Sequence, residues 1–211
     1  MTPEEAKHME SHMQFTMIRA KAYEELFGGK PAAFFPSHKF RGEEDGPYLI
    51  DVFVYSMEMA GDERPIYAAV TNGMSDQRMA EGDSPAQPRR RELIQYFREC
   101  TEGHAKRLRD MAWLPLFDNF LLDAQHSIAW EWPAMAGTPW KNAFFLLPMP
   151  NPHQNFSCMI EGDPMSFLWH IPISEAERAY KQEHGANAFL DRMQKAGLPW
   201  IFEEANRPPL V

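Results

Sequence analysis

The chain has 211 residues, 44% of them hydrophobic and 24% charged, the make-up of one folded domain rather than a disordered segment. Its formal net charge of −9 argues against nucleic acid or an anionic membrane as the main partner, since both attract basic faces; the acidity either serves solubility alone or suits a basic protein. Cys100 and Cys158 are the two cysteines, far apart and without C-x-x-C spacing, so neither a disulfide scaffold nor a thiolate zinc site is indicated.

The first 30 residues carry Glu4, Glu5, Glu10, Glu24 and Glu25 and no apolar run, which speaks against a signal peptide; no later segment approaches a membrane span. A reducing cytoplasm is the expected location. Thr2 as cap, Pro3 at the first position and Glu5 as the capping-box acid predict a helix that Gly28-Gly29 ends. Ala6, Met9, Met13, Met17, Ala20, Tyr23 and Phe27 recur along it at three- and four-residue steps, so Met9, Met13 and Met17 are expected to be buried. His8 and His12 stand one turn apart, a spacing that can hold a metal, but no third ligand lies nearby and Glu10 is not placed as in H-E-x-x-H. They read as an exposed polar face.

Leu49 to Met57 reads as a strand with Ile50, Val52 and Val54 on one face and Phe53 and Tyr55 on the other, so both faces should be covered. Gly61 to Arg64 then looks like a hairpin loop, and residues 65 to 71 alternate as a second strand. That strand runs into Asn72-Gly73-Met74-Ser75-Asp76, where Asn72-Gly73 tolerates a sharp reversal and Ser75 and Asp76 can bond backbone amides. Residues 77 to 90 read as an exposed polar loop, and Arg89-Arg90-Arg91 as a solubilising guard at a strand edge. Arg91 to Phe97 is a third strand.

Thr101 caps a helix reaching about Trp113, limited by Pro115. Short strands follow at 127–130, 143–147, 156–160 and 165–171. Ser174 and Glu177 form a second capping box for a helix that stops near Gly185, and Ala188 to Lys195 is the last helix. Hairpin-length loops and irregularly placed helices predict an α+β fold: a largely antiparallel or mixed central sheet flanked by the N-terminal helix and by later helices, with 203–211 as a tail.

Several of these segments, in order, form a recognisable set: Ile50 to Tyr55; Gly73-Met74-Ser75-Asp76; Arg91-Glu92-Leu93-Ile94; Leu108 to Leu116; Gln125-His126-Ser127-Ile128; Phe167 to Ile173 with Glu175-Ala176-Glu177; Gly185 to Met193; Gly197 to Ile201. The set resembles the Suppressor of fused-like domain family over roughly 50–202, with 1–29 as an added N-terminal helix. Ala124 and Gln125 depart from the family's glycine and acidic residue. The resemblance implies a single non-enzymatic protein-binding domain with no cofactor. Short bacterial relatives are associated with immunity to secreted toxins, so the implied partner is a protein, a basic toxin domain being the concrete case. A peptide-binding adaptor or chaperone, and a hydrolase using a histidine beside an acid, are the alternatives.

The sequence contains no P-loop, dinucleotide turn or nucleophile elbow, and Ser157-Cys158 lacks any such context. Asp76 offers a carboxylate either to a partner or to local capping. His126 and His170 lie near tryptophans. Trp130, Trp132 and Trp140 either anchor a partner or roof the core. The expected partner-binding residues are Asn72, Ser75, Asp76, His126, Trp130 and Trp132, meeting on one side of the domain; no catalytic or metal-binding residue is expected.

Overall fold

The computed structural model describes residues 3–37, 49–59, 62–82, 88–149, 153–197, 201 and 210–211. In chain order its elements are α1 (Pro3–Phe27), β1 (Ala33–Phe35), β2 (Asp51–Met59), β3 (Asp62–Asn72), β4 (Arg90–Phe97), α2 (Glu102–Phe117), β5 (Ser127–Ala129), β6 (Asn142–Leu146), β7 (Cys158–Ile160), β8 (Asp163–Ile173), α3 (Glu175–His184) and α4 (Ala186–Lys195). The sheet runs β1-β2-β3-β4-β8-β6-β5, with β7 paired to β8. β4 and β8 are parallel and every other pair is antiparallel. This is the expected α+β fold, with a mixed sheet.

Strand register decides which helix covers which face. Tyr55 and Tyr96 both pair with Ala68, so they share a face, and Tyr55 meets Tyr23 and Phe27 of α1. Phe97 points the other way and stacks on His104 of α2. Phe144, opposite Ile171, carries Phe189 of α4 on the α1 side. The sheet therefore lies between α1 with α4 on one face and α2 on the other, as the two-sided apolar pattern of β2 predicts.

Local chemistry explains the element ends. Thr101 and Ser174 each form a capping box, with His104 and Glu177 respectively at the third helical position. Gly28 ends α1 with φ 75°, and the Gly29 amide closes onto Glu24 O at 3.0 Å. Pro115 does not stop α2, which continues to Phe117. The proline sits in the last turn, and the Asp118 amide still reaches Leu114 O at 2.9 Å.

Several expectations are corrected. Met13 and Met17 are exposed and Met9 is only half-buried; α1 instead buries His12, Phe15, Arg19 and Tyr23, also at three- and four-residue steps. A charged face goes inward because acids wait for it there, as described below. Arg90 and Arg91 are no edge guard either. β4 is a central strand, so both side chains are buried: Arg90 on Asp163 (3.0 Å) and Glu161 (2.7 Å), Arg91 on Asp123 and Ser166. Within 77–90, Met79 is buried and touches the Leu122 amide. Asp62 to Arg64, expected in a hairpin loop, open β3 instead; the Thr2 cap, Gly61, residues 83–87 and the Pro208-Pro209 tail lie outside the described residues.

Candidate functional site

The turn after β3 is built around Gly73. Its φ of 143° favours glycine, and a Cβ there would sit 2.0 Å from the backbone oxygen of Leu49. The turn folds over the buried carboxylate of Glu92, from the middle of β4. Glu92 Oε1 accepts from the amides of Gly73 (3.0 Å) and Ser75 (2.9 Å) and from Ser75 Oγ (2.7 Å). Its other oxygen accepts from Thr71 Oγ1 at 2.6 Å, which in turn takes the Leu93 amide at 2.7 Å.

α1 docks on this turn through charge. Arg19, wholly buried, donates from Nε to Asn72 Oδ1 (2.5 Å) and from Nη1 to Ser75 Oγ (2.9 Å). It pairs with Asp76 Oδ1 at 2.6 Å and lies 3.6 Å from Glu92. His12 Nδ1 sits 2.6 Å from Asp76 Oδ2, and its Nε2 lies 3.8 Å from Asp51. Burial by itself disfavours the charged ring, but hydrogen bonds and charge from Asp51 and Asp76 outweigh it and raise its pKa to about 9. On the outer side, Arg90 Nη1 donates to the backbone oxygens of Ser75 (2.6 Å) and Asp76 (3.0 Å).

Asn72, Ser75 and Asp76 are thus brought together, but their side chains are buried and point at α1. An open surface contact by Asp76 is not what this geometry presents, because a cation from a distant part of the chain already occupies the carboxylate. Sequence reasoning missed Arg19, His12 and Glu92. Two signals were present: an acid inside the apolar run of β4, and Arg19 and His12 falling in line with Phe15 and Tyr23.

The aromatic segment divides. His126 and Trp132 are exposed, Trp130 is half-buried and Trp140 is buried in the core. Trp132 is 59% exposed, with the Arg107 guanidinium of α2 6.0 Å from its ring centroid. His126 Nδ1 meets the Asp123 amide at 3.2 Å, and its carbonyl accepts from the Phe145 amide at 3.0 Å, fixing the loop to β6. Met79, against Leu122, links this region to the loop that follows Asp76.

His170, His153 and the two thiols are poorly placed for proton transfer or attack. His170 is sealed, its Nδ1–H facing the acceptor Gln95 Oε1 at 3.0 Å, and burial pushes its pKa down to about 3, which keeps the ring neutral. His153, 2.9 Å from the Tyr96 hydroxyl, is pushed down to about 4 by burial. Burial raises the Cys100 thiol to about 12 and Cys158 to about 11, away from the reactive thiolate. Among the described residues no group of three or more His, Cys, Asp or Glu side chains could hold a metal ion, and no helix is long and apolar enough to cross a membrane.

Comparison with known proteins gives a consistent picture. The profile of the Suppressor of fused protein (SUFU) family matches residues 46–207. A crystal structure of a SUFU homologue from Neisseria gonorrhoeae superposes with a TM-score of 0.68 at 17% identity, covering 94% of this chain and 98% of that one. The crystal structure of a Sufu–Fu complex gives a TM-score of 0.67 at 11% identity, covering 93% and 92% of the respective chains. Drosophila Suppressor of Fused gives 0.54 at 12% identity, covering 76% of this chain and 42% of that one. These identities speak for the fold alone. No curated protein sequence matches this one.

Proposed function

Because the chain belongs to the Suppressor of fused family, we propose that it is a non-enzymatic protein-binding domain that occupies one protein partner stoichiometrically, with immunity to a cognate toxin as the concrete case. The observation that carries this reading is Trp132: a large aromatic, 59% exposed, on a loop held by the sheet and flanked by Arg107. Exposed tryptophan beside arginine is the composition of an interface hot spot. His126 and the open part of Trp130 extend the contact surface. Asn72, Ser75 and Asp76 serve instead to hold α1 on the turn after β3. The net charge of −9 favours a basic partner and raises its rate of encounter. The related fold solved as a Sufu–Fu complex supports a protein as the partner. His153 and His170 sealed and neutral, the thiols protonated, and His12 buried and held charged by Asp76 together favour binding over a hydrolase.

The test is co-expression with the protein encoded beside this gene. Rescue of growth together with a stable one-to-one complex is the expected result. Trp132→Ala should weaken that complex by about 2 kcal/mol, roughly 30-fold, without lowering the melting temperature. Undiminished toxicity with no complex would reject the immunity reading, and a complex indifferent to Trp132→Ala would move the contact surface elsewhere.

A further inference from the structure

With His12, Phe15, Arg19 and Tyr23 locked inward, α1 cannot roll its methionines into the core. Its outer face carries Met13 at 62% exposure, Met17 at 72% and Ile18 at 39%, with the exposed charges Lys7, Glu10, Lys21 and Glu25 around them. We propose that this face pairs with the same face of a second copy of the chain, the two α1 helices running antiparallel about a two-fold axis near residue 15.

The charges specify both the occupant and its direction. Glu10 and Lys21 are eleven residues apart, within about 20° of each other around the helix; Lys7 and Glu25 are eighteen apart and share one meridian at about 100° per residue. The midpoints of these two pairs, and of Met13 with Met17, fall within one residue of each other. An antiparallel two-fold therefore sets Glu10 against Lys21 of the second copy, Lys7 against Glu25 of the second copy, and the methionines against each other at the centre. A parallel pair would set each charge against its own kind. Methionine suits such a seam, because its flexible thioether fills irregular gaps. An isologous dimer of this kind is closed and self-limiting. One helix pair is a small interface, and two chains of −9 repel, so the dimer is a weak one, with a Kd of about 10–100 µM at physiological salt.

Sedimentation velocity on the full chain, from roughly 5 to 300 µM, reads this directly. The wild type should pass from monomer to dimer across that range, and Met17→Glu should remain monomeric. Glu10→Lys and Lys21→Glu should each weaken dimerisation about tenfold, and the Glu10→Lys/Lys21→Glu double variant should return to within about threefold of wild type. All three positions are exposed, so melting temperatures should match the wild type and show that folding is intact. A monomer at every concentration overturns the proposal, as does a dimer that survives Met17→Glu. A double variant no tighter than the single ones overturns the antiparallel pairing, whereas a face that serves a different protein would leave the wild type monomeric throughout.

Discussion

At the scale of single residues, the domain is organised by one buried cation. Arg19 faces Asp76 and Glu92 together, and removing it leaves two carboxylates close together with little water to screen them. Arg19→Met should therefore destabilise the fold by about 3–5 kcal/mol, although methionine suits a helix and an apolar interior. Urea denaturation checks this; a loss under about 1 kcal/mol would mean that water or rearrangement relieves the two acids. His12 makes the same contact pH-dependent. Its pKa is about 9 in the fold against 6.5 ordinarily, so the folded state holds the proton more tightly. The stabilisation is complete below about pH 6.5 and is lost as pH rises through 9, a fall of at most about 3 kcal/mol. His153 and His170 work in the opposite sense. With pKa values lowered to about 4 and 3, they stabilise the fold above pH 6.5, and that contribution fades as pH falls. His12→Gln should flatten the alkaline limb of stability against pH and leave the acid limb in place. Parallel alkaline limbs in the two proteins would remove His12 from this role.

At the scale of elements, the tightest constraint is the turn between β3 and the segment leading to β4. Gly73→Ala must either break a left-handed φ or drive its Cβ into the Leu49 carbonyl, and backbone on both sides cannot give way cheaply. The expected loss is about 3 kcal/mol or more, seen as a collapse of the melting temperature. Helix caps are smaller effects. Thr101→Ala should cost about 1 kcal/mol, because only one amide of α2 loses its acceptor and that end is exposed to water. Ser174→Ala should cost at least as much, since its box partner Glu177 is buried and also takes the Leu210 amide at 3.0 Å. Equal melting temperatures for wild type and Thr101→Ala would show that water replaces the hydroxyl fully.

At the scale of the whole molecule, α1 is integral although it lies outside the residues that the family profile matches. It supplies the cation for Asp76 and Glu92, the Tyr23 ring against Tyr55 and Phe167, and the Tyr23 hydroxyl that donates to Thr71 O at 3.1 Å. A chain starting at residue 30 should therefore lose its cooperative thermal transition, as followed by near-ultraviolet circular dichroism. A sharp transition close to that of the full chain would show that 46–207 is self-sufficient. The same packing sets the surface properties. One side of α1 is pinned, so the other stays exposed; the sheet holds the 120–140 segment, so Trp132 projects from a rigid support.

The alternation of β2 and β3, the capping boxes at Thr101 and Ser174, and the glycine turn at 73 were legible in the sequence because each depends on neighbouring residues. From them came the α+β class, most of the elements and the family. Strand β1 was not legible because Pro31 and Pro36 flank its Ala-Phe-Phe, which shows no alternation and reads as loop. Which face of α1 turns inward was not legible, because hydrophobicity ranks methionine above arginine and histidine when water is the only alternative. Tertiary structure changed that ranking by placing Asp76 and Glu92, 57 and 73 residues downstream of Arg19, where a guanidinium lowers the cost of burying them. Arg90 and Arg91 followed the same rule once β4 became a central strand beside Asp163 and Asp123. Charge pairing between residues far apart in sequence is a property of the assembled fold, since no local pattern records which acid will meet which base.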